Sequence, residues 1–360
     1  MMTLDEYGDM VMLHRPVYLR FTPHIGAFSR AILATAAIFA ITAIGYSGHA
    51  AAQSQTGTGK LLDAVVGIDT QVPGNARTAG TLGTHRQGSG AVISDDGLVL
   101  TIGYLILEAV SIDLTTHDGR TVPAKFVAYD HPSGFGLVRA LQPLGVTPFE
   151  LGESDGILER SQALIANRLG EHEAQGVFVV SRRPFVGSWE YLLDDAIYTS
   201  PPNANFSGAS LLSSDGRLLG IGSLFVGNAA IFQQPVAGNM FVPIDELRPI
   251  LDELVASGRR GGKVRPWVGI YSSEFRGRVF VDRVAPDGPA EAAGIEPGDL
   301  IVNVRGSTVD DMASFLRAVW KDARAGDTID MTVLNKSGQL RSVTVRSDDR
   351  RNWLRLNPSF

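Results

Sequence analysis

Between residues 61 and 244, apolar side chains recur in short runs that turns separate. The runs at residues 64–68 and 98–101 are typical, and Asp-Gly pairs at residues 96–97 and 118–119 lie between such runs. Asp-Gly turns between short apolar runs are typical of antiparallel hairpins and not of strand–helix–strand units. The pattern therefore predicts an all-β sandwich or barrel in this part of the chain.

Helical periodicity first becomes clear after this region. Apolar side chains at helical spacing over residues 245–257 predict a helix that Asp245 caps and that stops at Gly258. Residues 257–263 are rich in glycine and charge and contain no apolar side chain. We therefore expect residues 257–264 to link two domains.

A second unit begins at residue 265. Within residues 288–306, Pro289 favours the start of a helix, Gly294 favours its end, and a Pro-Gly-Asp turn leads into a strand at residues 300–304. The apolar pattern beyond this point predicts a helix at residues 310–323 and strands at residues 329–334 and 340–345.

Composition narrows the classes of function. The chain has 360 residues, which suffices for two domains, and its 44% hydrophobic and 19% charged residues are typical of a globular protein. The net charge is -6 and no block of lysines or arginines occurs, which argues against a nucleic-acid partner. With no cysteine, the chain has no disulfide, thiol nucleophile or thiolate metal site, and we expect no metal and no cofactor.

The N-terminal region predicts export. Residues 31–46 form an uncharged, mostly apolar stretch that follows three arginines and precedes the small residues 50–52. This order is that of a signal peptide, although the stretch is also near the shortest length of an inner-membrane anchor. Either alternative places the rest of the chain in the periplasm, because the arginines stay inside. We expect a signal peptide or signal anchor at residues 1–52 and a polar tether at residues 53–60.

Two motifs resemble known families. Residues 88–106 resemble the first barrel of HtrA-type serine proteases, where this segment ends in Thr-Asn-x-His-Val, and residues 288–306 resemble the signature of bacterial PDZ domains. The resemblance covers about residues 61–346 and implies an exported quality-control protein with a mainly β fold. It implies a trypsin-like double β-barrel at residues 61–256, an α+β PDZ domain at residues 265–348 and a C-terminal tail at residues 349–360.

The resemblance also locates two members of the serine-protease triad. The family's histidine falls on Tyr104, and its aspartate falls on Gly134, 30 residues later. A tyrosine has a pKa of about 10 and stays protonated at neutral pH, so Tyr104 cannot replace imidazole as a base. Glycine offers no carboxylate. We therefore predict a degenerate triad.

The third member is partly retained. Residues 205–211 resemble the nucleophile loop, and the Asp-Gly turn that follows sets a register in which Ser207 is the nucleophile equivalent. Counting forward from the preceding strand favours Gly208 instead. In the first register, Asn205 and Phe206 take the oxyanion-hole positions, where a Cβ atom restricts the backbone.

A histidine elsewhere is the remaining route to a base. His131 lies next to the predicted acid position and is the least implausible substitute, although a base must come within hydrogen-bond reach of Ser207. Three other histidines follow the leader in polar loops, where a solvated side chain is the better interpretation: His85, His117 and His172.

A peptide site is predicted at the other end of the chain. PDZ domains add an extended C-terminal peptide to a sheet edge and hold its carboxylate with backbone N–H groups of a loop. The resemblance implies that Trp267, Val268, Gly269 and Ile270 form this loop and strand. Leu316 and Val319 on the predicted helix contact the ligand or belong to the domain core, and the sequence favours neither.

These predictions favour a catalytically degenerate HtrA-like protein that binds C-terminal or unfolded peptide segments through its PDZ domain. An active HtrA-type protease is a candidate partner, and a homo-oligomer is consistent with the family. The main alternative is an active serine-type endopeptidase that acts on misfolded exported proteins with a base from an unexpected residue. A purely structural protein is the third alternative.

Overall fold

The structure, a computed structural model, describes residues 61–169, 174–231 and 233–356. Within these residues no helix has the length and apolar character to cross a membrane. The predicted leader and tether lie outside the described part of the chain. The described residues fold mainly into β-strands, as the hydrophobic pattern predicts.

The first barrel consists of six strands and two short helices: β1 (Val65–Gln71), α1 (Ala79–Leu82), β2 (His85–Val92), β3 (Leu98–Ile102), α2 (Gly103–Ile106), β4 (Ser111–Thr115), β5 (Thr121–Tyr129) and β6 (Phe135–Ala140). The barrel is closed, and its strands follow the order β1-β2-β3-β6-β5-β4. Gly97 and Gly119, the glycines of the two Asp-Gly turns, have φ angles of 77° and 82°. Positive φ is what such hairpin turns require. Turn chemistry thus predicted these hairpins correctly.

The second barrel is closed as well. Its strands are β7 (Gln162–Ala166), β8 (Ala174–Gly187), β9 (Tyr191–Ser200), β10 (Ser210–Leu212), β11 (Leu218–Ile231) and β12 (Pro235–Pro243), in the order β10-β11-β12-β9-β8-β7. Strands β8 and β9 are long and pair up to Gly187 and Tyr191, so that residues 188–190 form the tip of a hairpin. This hairpin, residues 186–192, is called the β8–β9 tip below.

The helix after the second barrel is shorter than the sequence pattern predicts. A 3-10 turn at Ile244–Glu246 precedes α3 (Leu251–Ser257). Asp245 does not cap this helix, because its carboxylate accepts hydrogen bonds from the Ser154 hydroxyl at 2.9 Å and the Asp155 N–H at 2.8 Å. The predicted stop is confirmed, since Gly258 ends α3 with a φ angle of 72°.

The third unit is a sheet with two helices. Its elements are β13 (Ile270–Glu274), β14 (Val279–Val284), α4 (Pro289–Ala292), β15 (Leu300–Val304), β16 (Ser307–Thr308), α5 (Met312–Trp320), β17 (Thr328–Leu334) and β18 (Leu340–Arg346). The strand order is β13-β14-β15-β17-β18, with β16 paired to β15, so β13 lies at an edge of the sheet. Helix α5 begins two residues later than predicted because Asp311 caps it through the Ser314 N–H, at 2.6 Å, and it ends at Trp320.

The predicted linker and tail both pack against other parts of the chain. In the linker, the Arg260 guanidinium donates to both carboxylate oxygens of buried Asp130, at 3.0 and 2.8 Å. The chain end forms a last helix, α6 (Arg350–Trp353), and the Trp353 ring lies 5.1 Å from that of Trp267. Trp353 is 7% exposed, so apolar burial holds a segment whose composition predicts a tail.

Candidate functional site

Tyr104 lies on the one-turn helix α2, which directly follows β3. This helix begins at Gly103, where a Cβ atom would lie 2.3 Å from the Tyr129 ring. Buried Arg86 donates hydrogen bonds to the backbone carbonyls of Tyr104 at 2.7 Å and Leu107 at 3.0 Å. The buried Arg86 guanidinium therefore holds the backbone that carries the Tyr104 side chain.

The Tyr104 hydroxyl meets Ser207. Its oxygen lies 2.9 Å from Ser207 Oγ and 2.8 Å from the backbone carbonyl oxygen of Ser223. A phenol has one proton and a carbonyl can only accept, so Tyr104 donates to Ser223 and the Ser207 hydroxyl supplies the proton of the other bond. Burial raises the pKa of Tyr104 well above its usual value, more than the Ser207 hydrogen bond lowers it. The phenol is thus even less ionised at neutral pH here than in water, so Tyr104 offers almost no phenolate to act as a base.

Gly134 lies close to the same helix and carries no group that could replace a carboxylate. Its carbonyl accepts the N–H of Gly103 at 2.7 Å, and its φ angle is 83°. A Cβ atom at Gly134 would approach the Tyr191 hydroxyl to 3.4 Å. Nearby Asp130 is already engaged by Ser133, whose N–H and hydroxyl lie 3.0 and 2.6 Å from Asp130 Oδ2, and by the linker arginine.

The backbone of the nucleophile loop is wedged against β2. The Ser89 N–H donates to the Ser207 carbonyl at 2.8 Å. At Gly208, φ is 71° and a Cβ atom would lie 2.0 Å from the Ser89 carbonyl oxygen. No side chain fits at Gly208, and the side chain that meets Tyr104 is that of Ser207. The downstream register of the sequence is thus the one in which a hydroxyl faces Tyr104.

Asn205, at the first predicted oxyanion-hole position, donates its backbone N–H to a residue of its own loop. The Asn205 N–H donates to Asn203 Oδ1 at 2.8 Å, and the Asn205 side-chain amide donates to the Leu169 carbonyl at 2.5 Å. The neighbouring Phe206 carbonyl accepts from the Ala209 N–H at 3.0 Å. An oxyanion hole needs N–H groups directed at the substrate oxygen, and the Asn205 N–H is not directed there.

His131 contacts other groups than Ser207. Its Nδ1 lies 3.0 Å from the Tyr129 hydroxyl and 2.6 Å from an Arg350 guanidinium nitrogen. Burial lowers the pKa of His131 well below its usual value, and the nearby Arg350 and Arg265 charges lower it further.

The other histidines that follow the predicted leader agree with the surface prediction as far as the structure describes them. His85 pairs with Asp69 at 2.7 Å, and His117 lies 3.9 Å from Asp63. His172 lies outside the described residues. Across the described residues no three His, Asp or Glu side chains group in a way that could hold a metal ion.

The predicted carboxylate loop already holds a carboxylate. Glu190, at the β8–β9 tip, accepts hydrogen bonds from the N–H groups of Val268 at 3.0 Å, Gly269 at 2.6 Å and Ile270 at 2.8 Å. Gly269 has a φ angle of 79°, which turns successive N–H groups toward one point, and such a nest binds anions. Trp267 packs on the chain end next to this loop.

The two helix candidates are buried. Leu316 and Val319 are 1% and 0% exposed and belong to the same apolar cluster as Leu192 of the β8–β9 tip. Leu316 and Val319 therefore belong to the core of the PDZ domain and also lie in the cluster that receives Leu192, a side chain from outside that domain.

Sequence reasoning missed Glu190, the residue that fills the predicted loop. Burial raises its pKa to about 7, although three backbone N–H groups favour its ionised form. A cavity of about 170 Å³ adjoins it, lined among others by His131, Arg265 and Arg350. The sequence around Glu190 carries no turn motif; only the structure shows that Glu190 ends a three-residue hairpin turn with a φ angle of 59°, where glycine is usual.

Comparisons with known proteins agree with this architecture. Residues 88–221 match the family model described as trypsin-like peptidase domain, and residues 266–346 match the PDZ domain model. The Serine protease Do-like HtrA of Lactobacillus helveticus is 25% identical over 315 residues, which cover 79% of this chain and 74% of that protein. The Periplasmic serine endoprotease DegP of Escherichia coli K12 is 26% identical over 274 residues, which cover 70% of this chain and 55% of that protein.

A solved structure shows the fold. The HtrA-type protease AlgWS227A with tripeptide matches with a TM-score of 0.51 at 22% identity, over 84% of this chain and 97% of that one. The protein thus consists of a domain with the trypsin-like peptidase fold, followed by a PDZ domain. Its chain is homologous to the HtrA/DegP serine proteases.

Proposed function

We propose that this protein is a pseudoprotease of envelope quality control that captures C-terminal or unfolded peptide segments through its PDZ domain. The observation that carries the first part is the hydrogen bond between Tyr104 and Ser207, which places a protonated phenol where catalysis needs a base. In serine proteases, loss of the histidine alone costs about 10⁶ in turnover. Here the acid position also lacks a carboxylate, and the Asn205 N–H is directed at its own loop.

The second part follows from the geometry of the PDZ loop. Three converging N–H groups at residues 268–270 bind a carboxylate, and β13 lies at a sheet edge to which a peptide can add as a strand. The relatives named above include a periplasmic endoprotease. We place this protein in the periplasm as well, in contact with misfolded exported proteins, and with an active HtrA-type protease as its partner.

Fluorophosphonate labelling and casein cleavage test the pseudoprotease. We expect the wild-type chain to label and cleave no more than Ser207→Ala, with trypsin as the positive control. Labelling that the Ser207→Ala change abolishes would instead establish the endopeptidase. Peptide capture is tested separately, by fluorescence anisotropy with one peptide carrying either a free C-terminal carboxylate or a C-terminal amide. Equal binding of the two forms would contradict recognition of a C-terminus.

A further inference from the structure

The β8–β9 tip presents an aliphatic side chain to the PDZ domain beside its carboxylate. Leu192 is 6% exposed and packs in the cluster that contains Val268, Ile270 and Leu316. Glu190 fills the carboxylate loop of the same domain. A C-terminal aliphatic residue of a peptide would offer these same two groups, a carboxylate and an apolar side chain. The hairpin thus supplies within the chain what a ligand would supply from outside.

The backbone of the tip also hydrogen-bonds to the edge strand of the PDZ domain. The Ser188 carbonyl accepts the N–H of Ser272 at 3.1 Å, and Ser272 lies on β13, the edge strand. PDZ ligands bind by adding main-chain hydrogen bonds to such an edge. Across the groove, Asp194 of β9 pairs with Arg317 of α5 at 2.6 Å. The β8–β9 hairpin therefore contacts both walls of the groove: its tip bonds to the strand, and Asp194, two residues beyond the tip, pairs with the helix.

The conformation of Glu190 costs free energy within the hairpin. Its φ angle of 59° lies in the left-handed region, which disfavours a side chain with a Cβ atom. Such conformations persist where the surrounding structure compensates for them. Compensation here comes from the three N–H donors of another domain, at 2.6 to 3.0 Å. The three-residue turn itself requires this left-handed conformation, so what the PDZ loop compensates is a glutamate at a position where glycine would carry little cost.

We propose that the β8–β9 tip is an internal competitor that keeps the PDZ groove closed, and that peptides ending in an aliphatic residue with a free carboxylate displace it. This inference rests on the proposed peptide capture. Because only the open fraction of molecules binds, the apparent dissociation constant equals the intrinsic one divided by that fraction. Weakening the tip should therefore tighten peptide binding without any change in the PDZ residues.

The test uses the full chain, with Glu190→Gln and Glu190→Ala as variants and the exposed Glu159→Gln as a matched control. The probe is a fluorescein-labelled decapeptide that ends in leucine, with a free or an amidated C-terminus. We expect Glu190→Ala, which removes the whole group from the loop, to bind the free form about tenfold more tightly than wild type, whereas Glu190→Gln, an uncharged stand-in for the protonated carboxyl, should bind no more tightly. Glu159→Gln should equal wild type, and the amidated form should bind weakly throughout.

Hydrogen exchange at the amides of Val268, Gly269 and Ile270 provides an independent readout. These amides should be protected in wild type, exchange faster in the Glu190→Ala chain and become protected again when peptide is added. Unchanged protection in that variant would show that Glu190 does not occupy the loop. Equal or weaker peptide binding by Glu190→Ala would overturn the competitor role and leave peptide capture intact. Faster exchange without any binding up to about 1 mM peptide would overturn capture and competition together.

Discussion

Tyr104 and Ser207, which are 103 positions apart in the chain, face each other with their side-chain oxygens 2.9 Å apart. The contact joins a helix of the first barrel to the loop that precedes β10 of the second. A serine hydroxyl becomes a nucleophile when a base removes its proton. Tyr104 instead holds the Ser207 hydroxyl in a neutral hydrogen bond, and this pair forms part of the contact between the two barrels.

Removal of the Tyr104 hydroxyl should lower stability without creating proteolytic activity. In Tyr104→Phe, the buried Ser223 carbonyl loses its donor, which we expect to cost about 1–3 kcal/mol in the free energy of unfolding. Urea unfolding measures the change. Tyr271→Phe serves as the control, since the Tyr271 ring stacks with Arg283 and should tolerate the loss of its hydroxyl. A Tyr104→Phe chain as stable as wild type would contradict the hydrogen bond.

Substitution of Gly208 should be far more costly than substitution of a turn glycine with a similar backbone. In Gly208→Ala, the new Cβ atom would lie 2.0 Å from the Ser89 carbonyl oxygen, so the nucleophile loop has to move. Gly119 has a similar positive φ but no atom within 4 Å of its Cβ position. We expect a loss of about 4 kcal/mol or more for Gly208→Ala and about 1 kcal/mol for Gly119→Ala, measured by urea unfolding. Equal losses would mean that the loop is not held against β2.

The two neighbouring arginines of the linker should differ in the same assay. Arg260→Ala leaves Asp130, which is 2% exposed, without its ion pair, and we expect a cost of about 3 kcal/mol. Arg259 lies 3.6 Å from Asp349 with a side chain that is 52% exposed, so Arg259→Ala should cost less than about 1 kcal/mol. Similar values for both variants would indicate that the linker is free and not fastened.

Competition by Glu190 should depend on pH. Its pKa is raised by burial to about 7 in the closed state and returns toward 4.5 on release, so the closed state holds a proton more tightly. Between these two values, rising pH favours opening, and the effect is complete above about pH 7. Peptide binding to wild type should thus tighten relative to Glu190→Gln by about tenfold from pH 5.5 to pH 7.5.

The comparison with Glu190→Gln is necessary because other charged groups face Glu190: Asp130, His131, Arg265 and Arg350. The pKa of His131 is lowered in the closed state, mainly by burial, so its protonation at low pH favours opening and acts in the opposite direction. Both chains carry this contribution, and the ratio of their dissociation constants removes it. A ratio that stays constant with pH would contradict the assigned titration of Glu190.

The sequence by itself determined the barrels, the PDZ domain and the residue types at the catalytic positions. The hairpins, the end of α3 and the strand at Leu300–Val304 follow from turn chemistry and hydrophobic period, which act over a few neighbouring residues. Tyr104 and Gly134 lie in segments with firm spacing, so the absence of a histidine and an aspartate could be read directly. The degenerate triad and the PDZ site residues nevertheless stay predictions that the experiments above decide.

Only the tertiary structure decided which groups those residues meet. Partners far away in the chain decide three features: the start of α3, the ion pair that holds the linker at Asp130, and the packing of Trp353. The clearest case is Glu190, whose carboxylate lies in a loop about 80 residues further along. The local sequence carries no information about the contact between the Glu190 carboxylate and this loop. The free energy that holds the contact is gained only when the two domains dock and the carboxylate is buried among N–H donors that water no longer reaches.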